Sequence, residues 1–314
     1  MLRIVVRRLL SAIPLLLVLS LFVFVLLDLM QGDAARAAAG ENATPEEVAA
    51  ASERLGLNRP LLVRYVVWLA GAVHGDLGDS LLSSQSVSSL ILERLPVTLS
   101  LGLVTMVLAI LVGIPLGIAA ALRPNRPVDR IVTAAAAILM AVPPFVIGLV
   151  LVLVFAIAAA AFPATGYSAL TEHGFGDWLS HLVLPAIALA AISGAELARQ
   201  TRAAMVDTLA ADFVRTVRAK GLRAPMVVGK HALKNAGVPI VTVLGLQVSR
   251  ILAGAVTVEF VFALPGFGSL AVTAVNQRDV PVILGIVMVS AVGVLIVNLV
   301  VDISYGYFNP RIRR

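Results

Sequence analysis

The sequence contains no cysteine and few charged residues. Without cysteine the chain forms no disulfide, has no thiolate nucleophile and offers no cysteine-based metal site. Charged residues make up 13% of the 314 positions and hydrophobic residues 60%, whereas roughly a quarter of a soluble domain is charged. A water-soluble core cannot bury so much apolar surface, so the composition predicts a polytopic membrane protein.

Signatures of catalysis are also missing. The string nearest to a Walker A motif runs from Gly221 to His231, but its glycine spacing is wrong and no Ser or Thr follows Lys230. The four histidines are scattered without ligand spacing, so we expect no metal site. No Ser-His-Asp or Cys-His arrangement is suggested. We therefore expect a chain that is not an enzyme and has no cofactor of its own.

Six apolar stretches are long enough to cross a bilayer as helices. They lie near Leu9–Met30, Thr98–Leu122, Ile131–Ala161, Leu182–Ala198, Ala236–Phe262 and Val282–Tyr305. The third is long enough to break, and we expect a distortion at Pro143-Pro144. A cleaved signal peptide is an alternative for the first, since Arg7-Arg8 precedes it, but its apolar run is longer than a typical signal sequence contains.

The placement of the basic residues predicts the orientation of these spans. Most of the 24 Lys and Arg residues lie at the N-terminus, after span two, after span four and at the C-terminus. On the opposite side, residues 31–97 carry eight acidic and five basic residues, and residues 162–181 carry no basic residue. We therefore expect both termini in the cytoplasm. Because the net charge of +6 is spread over these connections, it does not indicate a nucleic-acid partner.

Residues 31–97 predict a small helical appendage outside the membrane. Thr44 is placed as an N-cap, Pro45 at the first helical position and Glu47 to complete a capping box. This helix is expected to end at Gly56, and a second one is expected to begin at Pro60. The second carries Leu61, Tyr65, Trp68 and Leu69 along an apolar face. Shielding of a pore mouth and docking of an external partner both remain open.

The connection at residues 199–235 has a pattern of its own. Asp212 to Gly221 predicts a short basic helix that stops at a glycine. Pro225 then restarts the chain, and Met226 to Asn235 is expected to continue as a helix into span five. We call residues 207–235 the elbow. A loop that only obeyed the orientation rule would need the charges but not two helices and a glycine stop.

Two ionisable residues lie inside span five, where charge is costly and indicates function. Arg250 and Glu259 are about 13 Å apart along a helix, too far to pair directly. Arg250 is expected either to meet a substrate carboxylate or to form a structural pair with a carboxylate on another span or subunit, and we favour the pair. Glu259 and the following turn, with Pro265 and Gly266, are candidates for a gate or for a binding-protein contact.

One small-residue motif lies in span two. Gly113 and Gly117 form a GxxxG pair, which permits close approach of another helix. Pro115 lies between them, so a kink is an equal alternative.

Taken together, several segments resemble the permease subunits of binding-protein-dependent ABC importers of the dipeptide, oligopeptide and nickel class. "DFVRTVRAKGL" followed by "HALKNAGVPIVTVLGLQ" is similar to the EAA loop of that class. "GDLGDS", "PVDRIVTAAAAILMAVPPFVIGLVLV", "VEFVFALPGFGSL" and "VNLVVDISYGYFNPRIR" extend the resemblance over nearly the whole chain. The general EAA pattern has small residues where this chain has Arg215-Thr216-Val217, so the match is to the peptide-class variant.

The resemblance implies an all-α fold with six transmembrane helices, that of a type I importer permease. Residues 1–97 would hold the first span and the appendage, and residues 98–314 a five-helix core with the EAA loop at about 199–235. In such permeases a short EAA helix sits in a groove of a cytoplasmic ATPase. Carried onto this chain, the docking helix is roughly Asp207–Gly221. Its implied contact residues are Asp212, the polar Arg215, Arg218 and Lys220, the apolar anchors Phe213 and Val217, and Gly221 at the sharp exit.

The resemblance also implies partners and a location. The chain would pass short peptides through the cytoplasmic membrane of a bacterium. Its partners would be membrane lipid, a homologous second permease, two ATP-binding subunits or one doubled, and an extracytoplasmic substrate-binding protein. ATP and Mg would be bound by those ATPases. Transport of nickel chelates or another small solute, an ATP-independent secondary transporter, and a membrane scaffold remain as alternatives.

Overall fold

The computed structural model describes residues 2–29, 35–36, 39–40, 43–54, 56, 58–83 and 85–308. The longer helices are α1 (Leu2–Asp28), α2 (Pro45–Arg54), α3 (Leu61–Val73), α4 (Val87–Leu122), α5 (Pro127–Ala141), α6 (Pro144–Leu151), α7 (Leu170–Ala210), α8 (Asp212–Ala219), α9 (Gly237–Val261), α10 (Phe267–Gln277) and α11 (Val280–Phe308). Strand pairing in the described part of the chain is limited to one isolated bridge, between Asp79 and Ser86. Met30 and the three C-terminal arginines lie outside the described residues.

The described helices agree with six predicted spans. Four of them are long and apolar enough to cross a membrane: Leu10–Asp28, Val87–Leu122, Leu170–Ala210 and Val280–Ser304. Two bent pairs bring the number to six if each is one span: Pro127–Ala141 with Pro144–Ala158, and Gly237–Ile251 with Gly254–Val261. Helices α4 and α7 extend well beyond the predicted spans, because hydropathy detects only the part of a helix that is apolar. The first turn of α7 is separated from the rest by a kink at Gly174, which has φ of +83°.

The third span is broken at the predicted place. Helix α5 ends at Ala141, α6 begins at Pro144, and the two helices are bent by 98°. Val142 and Pro143 are extended, with ψ of 125° and 143°. A proline disfavours helical backbone in the residue before it, whereas Pro144 fits the first turn of a helix, where no N–H partner is needed. The two prolines therefore end one helix and begin the next.

The chain divides into two compact units. The N-terminal unit comprises residues 6–97 and 265–296, and the core unit comprises residues 1–5, 98–264 and 297–314. Helix α4 and the turn after α9 each run from one unit into the other.

In the N-terminal unit, the predicted capping box is present at the start of α2. The backbone N–H of Thr44 donates to Glu47 Oε2 at 2.7 Å, and the N–H of Glu47 donates to Thr44 Oγ1 at 3.3 Å. The backbone and hydroxyl bonds from Thr44 hold the pKa of Glu47 below its usual value. Helix α2 ends at Arg54, and Gly56 follows with φ of +66°, a conformation that suits glycine.

Helix α3 packs against α1 in the same unit and forms hydrogen bonds with it. The hydroxyl groups of Tyr65 and Ser20 are 2.8 Å apart, and the Tyr65 ring meets Phe24 edge to face. Arg64 Nη1 donates to Asp28 Oδ1 at 2.5 Å. The predicted second appendage helix is therefore present, and it packs on the first span through its buried Tyr65.

The core unit is built around α7, against which α5, α6 and α9 pack. Helix α4 also approaches it closely: a Cβ atom added to Gly113 would lie 2.7 Å from the Gly194 carbonyl oxygen, and one added to Gly117 would lie 2.5 Å from that of Ala198. Pro115 does not end α4, which continues to Leu122. Of the two alternatives for the GxxxG motif, the structure supports close helix approach.

Candidate functional site

The elbow begins where α7 ends. Helix α7 runs on to Ala210, Ala211 is extended with ψ of 147°, and α8 covers Asp212–Ala219. The start at Asp207, which the family resemblance implied for the docking helix, is therefore wrong, because residues 207–210 belong to α7. The start at Asp212, predicted from the residues themselves, is confirmed.

The predicted glycine stop is confirmed at the other end of α8. Gly221 has φ of +78°, and its N–H donates to the Arg218 carbonyl at 2.9 Å. A left-handed residue of this kind at a helix end is most often glycine. The chain then restarts as three short helical segments in direct succession, Ala224–Met226, the π-helical Val227–Ala232, and Leu233–Asn235. They lead into α9.

Helix α8 has one fully buried residue, Val214, whose side chain is 0% exposed. Val217, one turn later, is half-buried, and Phe213 is 39% exposed. Phe213 and Val217, the apolar residues that the resemblance implied as ATPase contacts, are thus more exposed than Val214, and their contact with an ATPase stays a prediction. The three-residue spacing of Val214 and Val217, against Arg215 and Arg218, is the signal that identifies the inward face.

The outward face of α8 is charged. Arg215 Nη1 lies 3.4 Å from Asp212 Oδ1, and both side chains are largely exposed. Arg218 and Lys220 are exposed as well. Exposed ion pairs contribute little to stability, so these charges are available for a partner. Contact of this face with an ATPase stays a prediction.

A buried cluster connects the elbow to the spans. Its members come from α4, α7, the π-helical segment, the N-cap of α9 and α9 itself: Ala121, Leu197, Met205, Ala232, Ala236, Ile240 and Val243. Close-packed interiors transmit displacement because they have few voids to absorb it. The segment from Ala224 to Asn235 is therefore packed directly against α4, α7 and α9.

The core unit also contains an ion pair that the sequence did not predict. Arg202 on α7 holds Asp129, in the first turn of α5, through two hydrogen bonds, of which Nη2 to Oδ2 measures 2.6 Å. Asp129 also accepts the Asn125 N–H at 2.7 Å and the Thr133 hydroxyl at 3.3 Å. The two charged residues are 73 positions apart, and no local pattern joins them.

Arg250 is paired inside the chain. Its Nη1 donates to Glu196 Oε2 on α7, and Gln247 Nε2 donates to the same oxygen at 2.8 Å. This agrees with the favoured interpretation of a pair with a carboxylate on another span. The two side chains differ in exposure, at 60% for Arg250 and 14% for Glu196.

Glu259 is fully buried. Thr98 Oγ1 donates to its Oε1 at 2.5 Å, so this carboxylate is closed to an external partner in this conformation. In the turn that follows, Ala263 has φ of +49° and Leu264 N–H donates back to the Glu259 carbonyl at 2.8 Å. Of the other gate candidates, Pro265 is exposed and Gly266 is buried.

Among the described residues, no group of three His, Asp or Glu side chains is arranged to hold a metal ion.

Comparison with known families identifies the class of protein. Residues 113–314 match the model of the binding-protein-dependent transport system inner membrane component, and residues 1–102 match the N-terminal model of such membrane components. The chain belongs to this family. It is thus a multi-pass membrane permease component of an ABC importer, in which separate subunits hydrolyse ATP.

Individual relatives match over the full length. A probable peptide ABC transporter permease protein of Sinorhizobium fredii is 41% identical, with 98% of each chain covered. The oligopeptide transport system permease protein of Bacillus subtilis is 39% identical over 98% of each chain. The glutathione transport system permease protein of Salmonella choleraesuis is also 39% identical, over 100% of this chain and 99% of its own.

The fold is also found among solved structures. An inward-facing structure of the MetNI methionine ABC transporter matches 70% of this chain and 96% of its own, with a TM-score of 0.58 and 15% identity. At that identity the likeness shows the fold alone. The type I importer permease fold expected from the sequence is therefore confirmed.

Proposed function

We propose that this permease component carries short peptides, and that α8 is the element through which ATP hydrolysis drives it. The coupling role of α8 is supported by the geometry of the elbow. One side of α8 is held by the buried Val214, while Phe213 and the basic residues remain exposed on a helix that ends at Gly221. A partner that binds α8 thereby moves the buried cluster and the helices attached to it.

The proposed cargo follows from the relatives. The three described above are named for peptides, oligopeptides and glutathione, and glutathione is itself a short peptide. These names favour peptides over nickel chelates within the class.

The proposed assembly contains a homologous second permease, two ATP-binding subunits or one doubled, and an extracytoplasmic substrate-binding protein. ATP and Mg are bound by the ATPases and not by this chain. In this proposal both termini and the elbow lie on the cytoplasmic side, and the basic residues of these connections support that orientation. ATP shifts the permease between two conformations only through contacts that differ between them, and the exposed face of α8 supplies such contacts.

Gly221→Pro tests the coupling role. Proline fixes φ near −65°, whereas Gly221 has φ of +78° and donates its N–H to Arg218, so the exit from α8 must change. In proteoliposomes that contain the whole complex, ATP-dependent peptide uptake is expected to be lost while membrane insertion is retained. The matched control is Gly221→Asn, because asparagine tolerates left-handed backbone and is expected to retain uptake.

Normal uptake by Gly221→Pro would show that the exit geometry of α8 is not needed for coupling.

The cargo is tested separately, by adding unlabelled dipeptides, tripeptides or a nickel chelate to the same assay with the cognate binding protein. Competition by the peptides is expected. Competition by the nickel chelate alone contradicts the peptide assignment.

A further inference from the structure

The exposure of Arg250 is unusual for its position. Arg250 lies in the middle of α9, Gly237–Val261, yet its side chain is 60% exposed. A charged group in the middle of a span is not left against hydrocarbon; it faces a water-filled cavity or another protein. The face of α9 that carries Arg250 is therefore not a lipid-facing surface.

A neighbouring exposed residue extends this face along the helix. Leu246 lies four positions before Arg250, in the same straight part of α9, Gly237–Ile251, and both residues are exposed. Residues four apart share one side of a helix. The surface thus combines an apolar side chain with a guanidinium.

The carboxylate of this ion pair has a second hydrogen-bond donor besides Arg250. Glu196 accepts hydrogen bonds from both Arg250 and Gln247, and Gln247 is buried beside it. If the guanidinium moves to another anion, Gln247 still supplies Glu196 with a donor. Arginine has five N–H donors, and its planar group binds a second carboxylate well. The Glu196 carboxylate in turn accepts charge-assisted hydrogen bonds from cationic groups such as an ammonium.

We propose that Glu196 and Arg250 recognise the two charged ends of a short peptide on the translocation surface of this chain. The peptide carboxylate binds Arg250, the peptide ammonium group binds Glu196, and Leu246 contacts an apolar side chain of the peptide. The unliganded pair neutralises itself, so that the empty site exposes no uncompensated charge. This inference rests on the proposed peptide transport.

The test compares peptides that differ only at their ends. Uptake of one tripeptide is measured with free termini, with an amidated C-terminus and with an acetylated N-terminus, in proteoliposomes containing the whole complex and a single binding protein. Because the binding protein is the same throughout, a change in the uptake ratios between permease variants arises in the permease.

Arg250→Gln is expected to reduce uptake of the free tripeptide by about ten-fold or more, the scale of one lost hydrogen bond to a charged group. It is expected to affect the amidated peptide far less, so the ratio of free to amidated uptake falls. Glu196→Gln is expected to lower the ratio of free to acetylated uptake in the same way. The matched control is Arg64→Gln, which breaks the ion pair with Asp28 in the N-terminal unit and leaves both ratios unchanged.

The exchange variant Glu196→Arg with Arg250→Glu separates recognition from structure. If the pair only joins helices or meets a second permease, the exchange restores uptake of the free tripeptide, and the proposal is overturned. If the pair recognises peptide ends, the complex assembles with its ATPases but uptake stays low. Wild-type complex that transports no peptide contradicts the proposed function itself, whereas unchanged ratios in all variants contradict this inference alone.

Discussion

Replacing Asp129 is expected to lower the unfolding free energy of the core unit by more than the replacement of an exposed charged residue does. Asp129 is 4% exposed, and it accepts hydrogen bonds from Arg202, from the Asn125 N–H and from Thr133. Asp129→Ala leaves the Arg202 guanidinium without this carboxylate and removes an acceptor from the Asn125 backbone. The start of α5 is thereby released from α7.

The magnitude follows from the burial of the two partners. Removal of one partner from a buried pair costs about 3–5 kcal/mol. The Arg202 side chain is 28% exposed, so water compensates part of the charge that is left. We therefore expect Asp129→Ala to lower the unfolding free energy by about 2–3 kcal/mol, with most of that loss shared with Arg202.

A double-mutant cycle measures the shared part. The unfolding free energies of wild type, Asp129→Ala, Arg202→Ala and the double variant are determined in mixed micelles by denaturation with SDS. We expect a coupling energy of about 2 kcal/mol. The same cycle on the exposed pair Asp212 and Arg215 is the control and is expected to show almost no coupling. A coupling energy below about 0.5 kcal/mol for Asp129 and Arg202 would refute the reasoning.

Two further predictions concern helix packing. Gly117→Val places a Cβ atom 2.6 Å from that of Thr201, so α4 must move away from α7. The thermal stability of the purified chain should fall, at a cost of about 1–3 kcal/mol, while Gly293→Val, where an added Cβ meets nothing within 4 Å, should have little effect. Tyr65→Phe removes the hydroxyl that bonds to buried Ser20. Tyr65→Phe should lower the unfolding free energy by about 1 kcal/mol. Equal melting temperatures of Tyr65→Phe and wild type would show that this bond does not hold α3 to α1.

Much of the architecture could be predicted from the sequence, because local chemistry determines it. Apolar runs of bilayer length predict the spans, and consecutive prolines at Pro143 and Pro144 predict the break in the third. The pattern of Thr44, Pro45 and Glu47 predicts a capped helix, and Gly221 predicts the end of α8. Each of these signals acts within a few residues and depends little on the rest of the chain.

Only the tertiary structure decided which side chains pair and which are buried, because these contacts join residues that are far apart in the sequence. Arg202 and Asp129 are 73 residues apart, and Arg250 and Glu196 are 54 apart, so no spacing rule connects them. The choice between a kink and close packing at Gly113 and Gly117 depended on what lies opposite α4. Val214 is buried because α8 packs against the π-helical segment and against α7. The sequence by itself thus determined the spans, the break at Pro143 and Pro144, the end of α8 and the family. The packing of α7 against its neighbours decided which charges are paired and which remain exposed, since burial and pairing are properties of surfaces that meet only in the folded chain.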